Sequence, residues 1–76
     1  MMSSVPDDVP AIRLRLAANM RRLRQEREWS QEDLAAASAI HRNQISAMER
    51  CKLSTGIDII DKLALTLGVP IGELLD

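Results

Sequence analysis

The segment "HRNQISAMER", residues 41–50, concentrates the side chains best suited to molecular recognition. Arginine can grip guanine O6 and N7 with two hydrogen bonds, and asparagine or glutamine can do the same to adenine N6 and N7. Arg42, Asn43 and Gln44 are residues of those types in consecutive positions. They stand just ahead of Ile45 and Met48, which lie three residues apart, the spacing of a buried helical stripe. The four polar residues from His41 to Gln44 are therefore either the solvated start of a small helix or a surface that reads base edges.

Other chemistry finds little support. His41 and Cys51 are the only histidine and cysteine, and neither has an evident partner set for nucleophilic or acid–base catalysis. The sequence is accordingly not read as an enzyme. One cysteine excludes a disulfide within the chain, and no Cys/His cluster has metal-ligand spacing. No metal or other cofactor is expected.

The chain has 76 residues, enough for one small domain with a limited core. Its net charge of −1 does not suggest a polyanion partner, but the distribution is uneven. Residues 12–52 hold nine basic and five acidic side chains, net +4, and the rest hold one basic and six acidic, net −5. Such a split suggests a basic face on an acidic body, or ordinary solvated helix charge. No segment resembles a signal peptide or a membrane span, so a cytoplasmic location is expected.

A polar cluster at the head of a helix needs a frame, and hydrophobic periodicity supplies one. Residues 1–10, "MMSSVPDDVP", read as a flexible tail, and 11–76 as the folded domain. Ile12, Leu16, Met20 and Leu23 mark a first helix ending near Glu28. Ser30 is a good N-cap, and its spacing to Asp33 matches a capping box, with Trp29 and Leu34 placed for a hydrophobic staple. A short helix, "QEDLAAAS", follows, with Leu34 and Ala35 inward. Ala39 and Ile40 form a tight connection to a helix over 42–50. "CKLSTG" breaks the pattern, with Ser54, Thr55 or Gly56 as candidate caps. Ile57, Ile60, Leu63, Ala64 and Leu67 mark a fourth helix closed by Gly68 in a left-handed conformation, and Pro70 opens a fifth carrying Ile71, Leu74 and Leu75. No strand signal appears. The expected fold is all-α, a five-helix orthogonal bundle.

The second and third helices, joined by a short turn, describe a helix-turn-helix unit. The run "LRQEREWSQEDLAAASAIHRNQISAMERCK" resembles the lambda-repressor-like, Cro/CI-type (XRE) helix-turn-helix family. The resemblance rests on Arg24, Ser30-Gln31, Leu34-Ala35, Ala39, Ile45-Ser46 and Met48-Glu49-Arg50, in order and at the family's spacing. "LALTLGVPIGELL" resembles the family's last two helices, so the likeness covers about residues 12–75.

The resemblance implies a double-stranded DNA partner, with the third helix lying in the major groove. His41, Arg42, Asn43, Gln44 and Ala47 would then face base edges, Ala47 offering only a methyl group. Gln31 would hold a phosphate together with the helix N-terminal amides. Arg22, Ser30, Asn43, Arg50, Lys52 and Ser54 are further phosphate candidates, although Ser30 has capping as its main task and Arg22 equally suits a solvated surface. Arg24 and Glu49 are implied to form a partly buried salt bridge between the first and third helices.

The sequence also departs from the family pattern. His41 stands where Ser or Thr is usual, either as a weak cap or as a phosphate contact. Cys51 replaces a usual glycine and incurs a penalty of roughly 1 kcal/mol or more if the chain turns left-handed there. Trp29 replaces an aliphatic residue and is read as a staple. Family members usually bind as dimers to two half-sites about one helical turn apart. Ile71, Leu74 and Leu75 are the candidate dimer surface, unless they only close the monomer core. The implied function is a homodimeric transcriptional regulator on a pseudo-palindromic operator, similar to restriction–modification controller proteins or small phage repressors. An antitoxin of the same fold, with a toxin as protein partner, and an interaction adaptor whose helix no longer reads DNA are the alternatives.

Overall fold

The computed structural model describes residues 9–52 and 55–76. Five helices succeed one another: α1 (Ala11–Glu26), α2 (Gln31–Ser38), α3 (Arg42–Glu49), α4 (Ile57–Leu67) and α5 (Ile71–Leu75). There is no strand among the described residues. Most of the tail assigned to residues 1–10 lies outside them, as does Ser54.

Each helix starts and stops for a local reason. Pro10 precedes α1, where its missing N–H costs nothing. At α2 the capping box forms in full: Asp33 N–H donates to Ser30 Oγ at 3.0 Å, and Ser30 N–H donates to Asp33 Oδ2 at 2.8 Å. Trp29 packs against the core cluster that contains Leu34. Gly56, rather than a side-chain cap, precedes α4.

The helix ends are more revealing. α1 stops at Glu26, two residues before the sequence suggests. Glu28 turns left-handed at φ 57, its N–H reaching Gln25 O while Trp29 N–H reaches Arg24 O, the paired bonds of a Schellman motif. The same pair recurs after α3, from Cys51 to Met48 O and from Lys52 to Ala47 O, and after α4, from Gly68 to Leu65 O and from Val69 to Ala64 O. Ala39 also turns left-handed, at φ 61, between α2 and α3. Of these four left-handed positions only Gly68 is glycine.

The core runs through the whole chain. Met20, Leu34, Ile45, Met48, Leu63 and Leu74, one or more from every helix, are its largest fully buried side chains. Burying such side chains is worth about 1.5–3 kcal/mol each. α1 packs on α3 and α5, α2 on α3 and α4, and α4 on α5. Arg15 Nε donates to Leu75 O, Asn19 Nδ2 to Leu74 O and Arg27 to Leu67 O. Side chains of α1 and of Arg27 just after it thus satisfy carbonyls that α4 and α5 leave open at their C-termini.

Two expectations need correction. Ile12 is 43% exposed: the buried residues of α1 begin only at Leu16 and are Leu16, Ala17, Met20 and Leu23. Leu74 has no surface to offer a dimer partner: it is fully buried in the monomer core. Ile71 and Leu75 beside it are only partly buried.

Candidate nucleic-acid interface

One face of α3 is fixed to the body and the other is free. Ile45, Met48 and Glu49 are buried. At 3.6 residues per turn the opposite face carries Asn43, Ala47 and Arg50, with Arg42 at its edge. His41, Arg42, Asn43 and Arg50 are exposed, while Gln44, Ser46 and Ala47 are half-buried. Among the described residues, the side chains of Arg42 and Asn43 have no intramolecular hydrogen bond or ion pair, so their donors remain available. His41 is the N-cap: its Nδ1 accepts the Asn43 N–H at 3.0 Å.

Glu49 holds α3 in place. Its carboxylate, 2% exposed, accepts from Arg24 Nε and Nη2, both at 2.9 Å, the two-pronged geometry that arginine offers a carboxylate. Arg24 also donates to Trp29 O at 2.9 Å, which ties the end of α1 to the start of the helix-turn-helix unit. The hydrogen bonds to Glu49 hold the Arg24 guanidinium above its ordinary pKa, with burial working against them and the charge of Glu49 adding to them. The expected α1–α3 salt bridge is present. Arg21 joins it, donating to Glu49 O at 2.7 Å and lying 3.9 Å from the carboxylate. Its position three residues before Arg24, on the same helical face, is the sequence signal for that role.

Gln31 is drawn into the same network. Its Nε2 donates to Glu49 Oε1 at 3.1 Å, which leaves the second amide hydrogen unspent on this partner. An open cleft of about 370 Å³ lies here, lined by Arg24, Ser30, Gln31, Glu32 and Arg42. It sits at the start of α2, where the first backbone N–H groups lack intrahelical acceptors and the helix dipole favours an anion. Ser30 is engaged in its capping box, which is the task favoured for it above. Arg24 is neutralised by Glu49, so Arg42 is the basic group in the cleft without an ion-pair partner among the described residues.

The remaining phosphate candidates divide. Arg50 and Lys52 are exposed at the end of α3, on the same helix as Arg42 and Asn43 or just beyond it. Arg22 lies 3.3 Å from Glu26 and 3.6 Å from Glu73 of α5, so it faces α5 while Arg21 and Arg24 face α3. Ser54 is outside the described residues. Ser46, one turn after Arg42 and half-buried, is an additional group at the edge of the outer face. No group of three or more His, Cys, Asp or Glu positioned to hold a metal occurs among the described residues, and no helix there is long and apolar enough to cross a membrane.

Comparison with known proteins identifies the family of this fold. The helix-turn-helix family model HTH_3 matches residues 20–74, most of the chain. A hypothetical transcription factor of Neisseria meningitidis is 38% identical over 73 residues, covering 96% of this chain and 68% of that protein. The control protein C.BamHI of Bacillus amyloliquefaciens is 38% identical over 66 residues, covering 86% of this chain and 82% of its own length. Among solved structures, the restriction-modification controller protein C.AhdI of Aeromonas hydrophila superposes with a TM-score of 0.80 at 31% identity, covering 86% of this chain and 98% of the other. The chain belongs to the lambda-repressor-like, Cro/CI-type (XRE) helix-turn-helix family.

Proposed function

We infer that the chain is a sequence-specific DNA-binding transcriptional regulator. The carrying observation is the pair Arg42 and Asn43: exposed, without intramolecular side-chain partners among the described residues, and at the head of a helix locked from behind by Ile45, Met48 and Glu49. α3 enters the major groove, and its N-terminal residues meet base edges. Arg42 and Asn43 read bases through paired hydrogen bonds, with His41, Gln44 and Ala47 at the margins. The cleft at the start of α2 receives a phosphate, held by Gln31 and the free amides of that helix. Arg50 and Lys52 contact the backbone farther along. The likeness to two controller proteins supports the controller type of regulator.

The same reading makes the protein a homodimer on a pseudo-palindromic operator, since one short helix reads few base pairs. Leu65 on α4, 74% exposed, supports a dimer surface on α4, with the partly buried Ile71 and Leu75 of α5 as its further candidates. Selection of bound duplexes from a random pool tests the whole reading. The expected result is a motif with two-fold symmetry and half-sites about one helical turn apart. Recovery of no preferred sequence rejects it in favour of an interaction adaptor, and an asymmetric single site rejects the dimer.

A further inference from the structure

α3 opens on a cap with two working ends. His41 adopts φ −60 and ψ 139 at the N-cap position, and its Nδ1 accepts the Asn43 backbone hydrogen at 3.0 Å. A backbone amide nitrogen only donates, so Nδ1 must be the ring nitrogen that carries a lone pair. In a neutral imidazole the proton then resides on Nε2. The side chain is exposed, and Nε2 makes no hydrogen bond among the described residues. A serine or threonine cap satisfies the helix end and stops there. Histidine caps with its near nitrogen and carries a second, oriented polar group on the far side of a rigid ring.

We propose that His41 is a directed donor to bound DNA: its Nδ1 fixes the start of α3, and that bond in turn fixes the tautomer that leaves Nε2–H pointing outward. This rests on the reading of α3 as the DNA-recognition helix. Its partner is an acceptor, either a phosphate oxygen or the N7 of a purine. The amino groups of cytosine and adenine are excluded as partners, because a protonated Nε2 has no lone pair for them. The cap bond also holds the backbone of Asn43, so one ring steadies a neighbouring reading residue while making its own contact.

Nitrogen-15 NMR on the DNA-free protein tests the tautomer without ambiguity of assignment, because the chain has a single histidine. At alkaline pH the expected spectrum shows an unprotonated Nδ1 and a protonated Nε2. A ring protonated mainly on Nδ1, or averaging between the two forms, overturns the directed donor whether or not DNA binds. The second measurement compares His41→Ser with the unaltered chain on the duplex selected from the random pool. Serine keeps a good cap but lacks the reach, so thermal stability is expected to hold or rise while affinity falls about tenfold, the size of one hydrogen bond to a charged or strongly accepting group. Equal affinity overturns the donor role. Methylphosphonate at individual phosphates and 7-deaza analogues at individual purines then identify the acceptor, as the replacement that abolishes the difference between the two chains. If no replacement abolishes it, the contact is not direct and the proposal fails. A chain that selects no motif fails the reading of α3 itself, and the donor role with it, whatever the tautomer.

Discussion

At the residue scale, the side chains with the most to do are those the fold leaves alone. Arg42 is exposed and has no intramolecular side-chain partner among the described residues, so its removal should leave the fold intact. Arg42→Ala is expected to lose about 1–3 kcal/mol of discrimination between its preferred base and the others while retaining weak nonspecific binding. Competition binding against operator and scrambled duplexes checks this, and unchanged preference would reassign the reading residue. Cys51 illustrates the opposite situation. Its φ of 59 places a side chain where a left-handed backbone penalises one. Cys51→Gly is therefore expected to stabilise the protein by up to about 1 kcal/mol in chemical denaturation, the relief of backbone strain partly offset by glycine's larger loss of chain entropy. A destabilised variant would mean that the Cys51 side chain, whose Sγ lies 3.8 Å from Arg13 O, contributes more than its strain costs.

At the element scale, α3 is only as well aimed as the groups behind it. Glu49 receives Arg24, Gln31 and Arg21 from α1 and α2, so three helices meet at one nearly dry carboxylate. Arg24→Ala strands that charge and is expected to cost about 3–5 kcal/mol of stability, measured by urea unfolding. A loss below about 1 kcal/mol would show that solvent reaches Glu49 and that the bridge behaves as a surface pair. The N-terminus of α2 offers a finer check. Ser30→Ala removes one half of the capping box and should cost about 1 kcal/mol, with less effect on DNA affinity than Gln31→Ala. Equal losses of affinity would move Ser30 from a capping to a binding role.

At the scale of the whole molecule, charge and apolar surface are distributed between different faces. α3 carries the exposed Arg42, with Arg50 and Lys52 just beyond its end, while Asp58, Asp61 and Glu73 are exposed on α4 and α5. The net charge of −1 therefore hides a local basic surface suited to phosphates. The acidic elements also carry Leu65, the most exposed of the large hydrophobic side chains among the described residues. Leu65→Asp is expected to shift the protein towards monomer in sedimentation and to weaken operator binding without altering the preferred half-site. If the variant sediments like the unaltered chain, the proposed dimer face is misplaced.

Much of this was legible in the chain itself. Apolar spacing located five helices because a helix that must bury one face repeats its pattern every 3–4 residues. The Ser30–Asp33 box and Gly68 marked boundaries because capping chemistry is local, confined to a few neighbouring residues. The order of Ser30-Gln31, Ile45-Ser46 and Met48-Glu49-Arg50 pointed to the family and to the face of α3 that faces outward. Tertiary structure decided what depends on neighbours distant in sequence. Periodicity shows that Leu74 is apolar, and only packing against α1 and α4 makes it core and not interface. Arg21 and Arg22 are adjacent arginines, yet 100° of helix turns one towards Glu49 and the other towards Glu73. Glu28 and Ala39 take left-handed turns that their types do not announce, because the packed helices on either side fix the chain's path and outweigh a local cost of about 1 kcal/mol. His41 was ambiguous as a letter; the folded chain makes it the cap of α3, because its ring reaches the Asn43 amide.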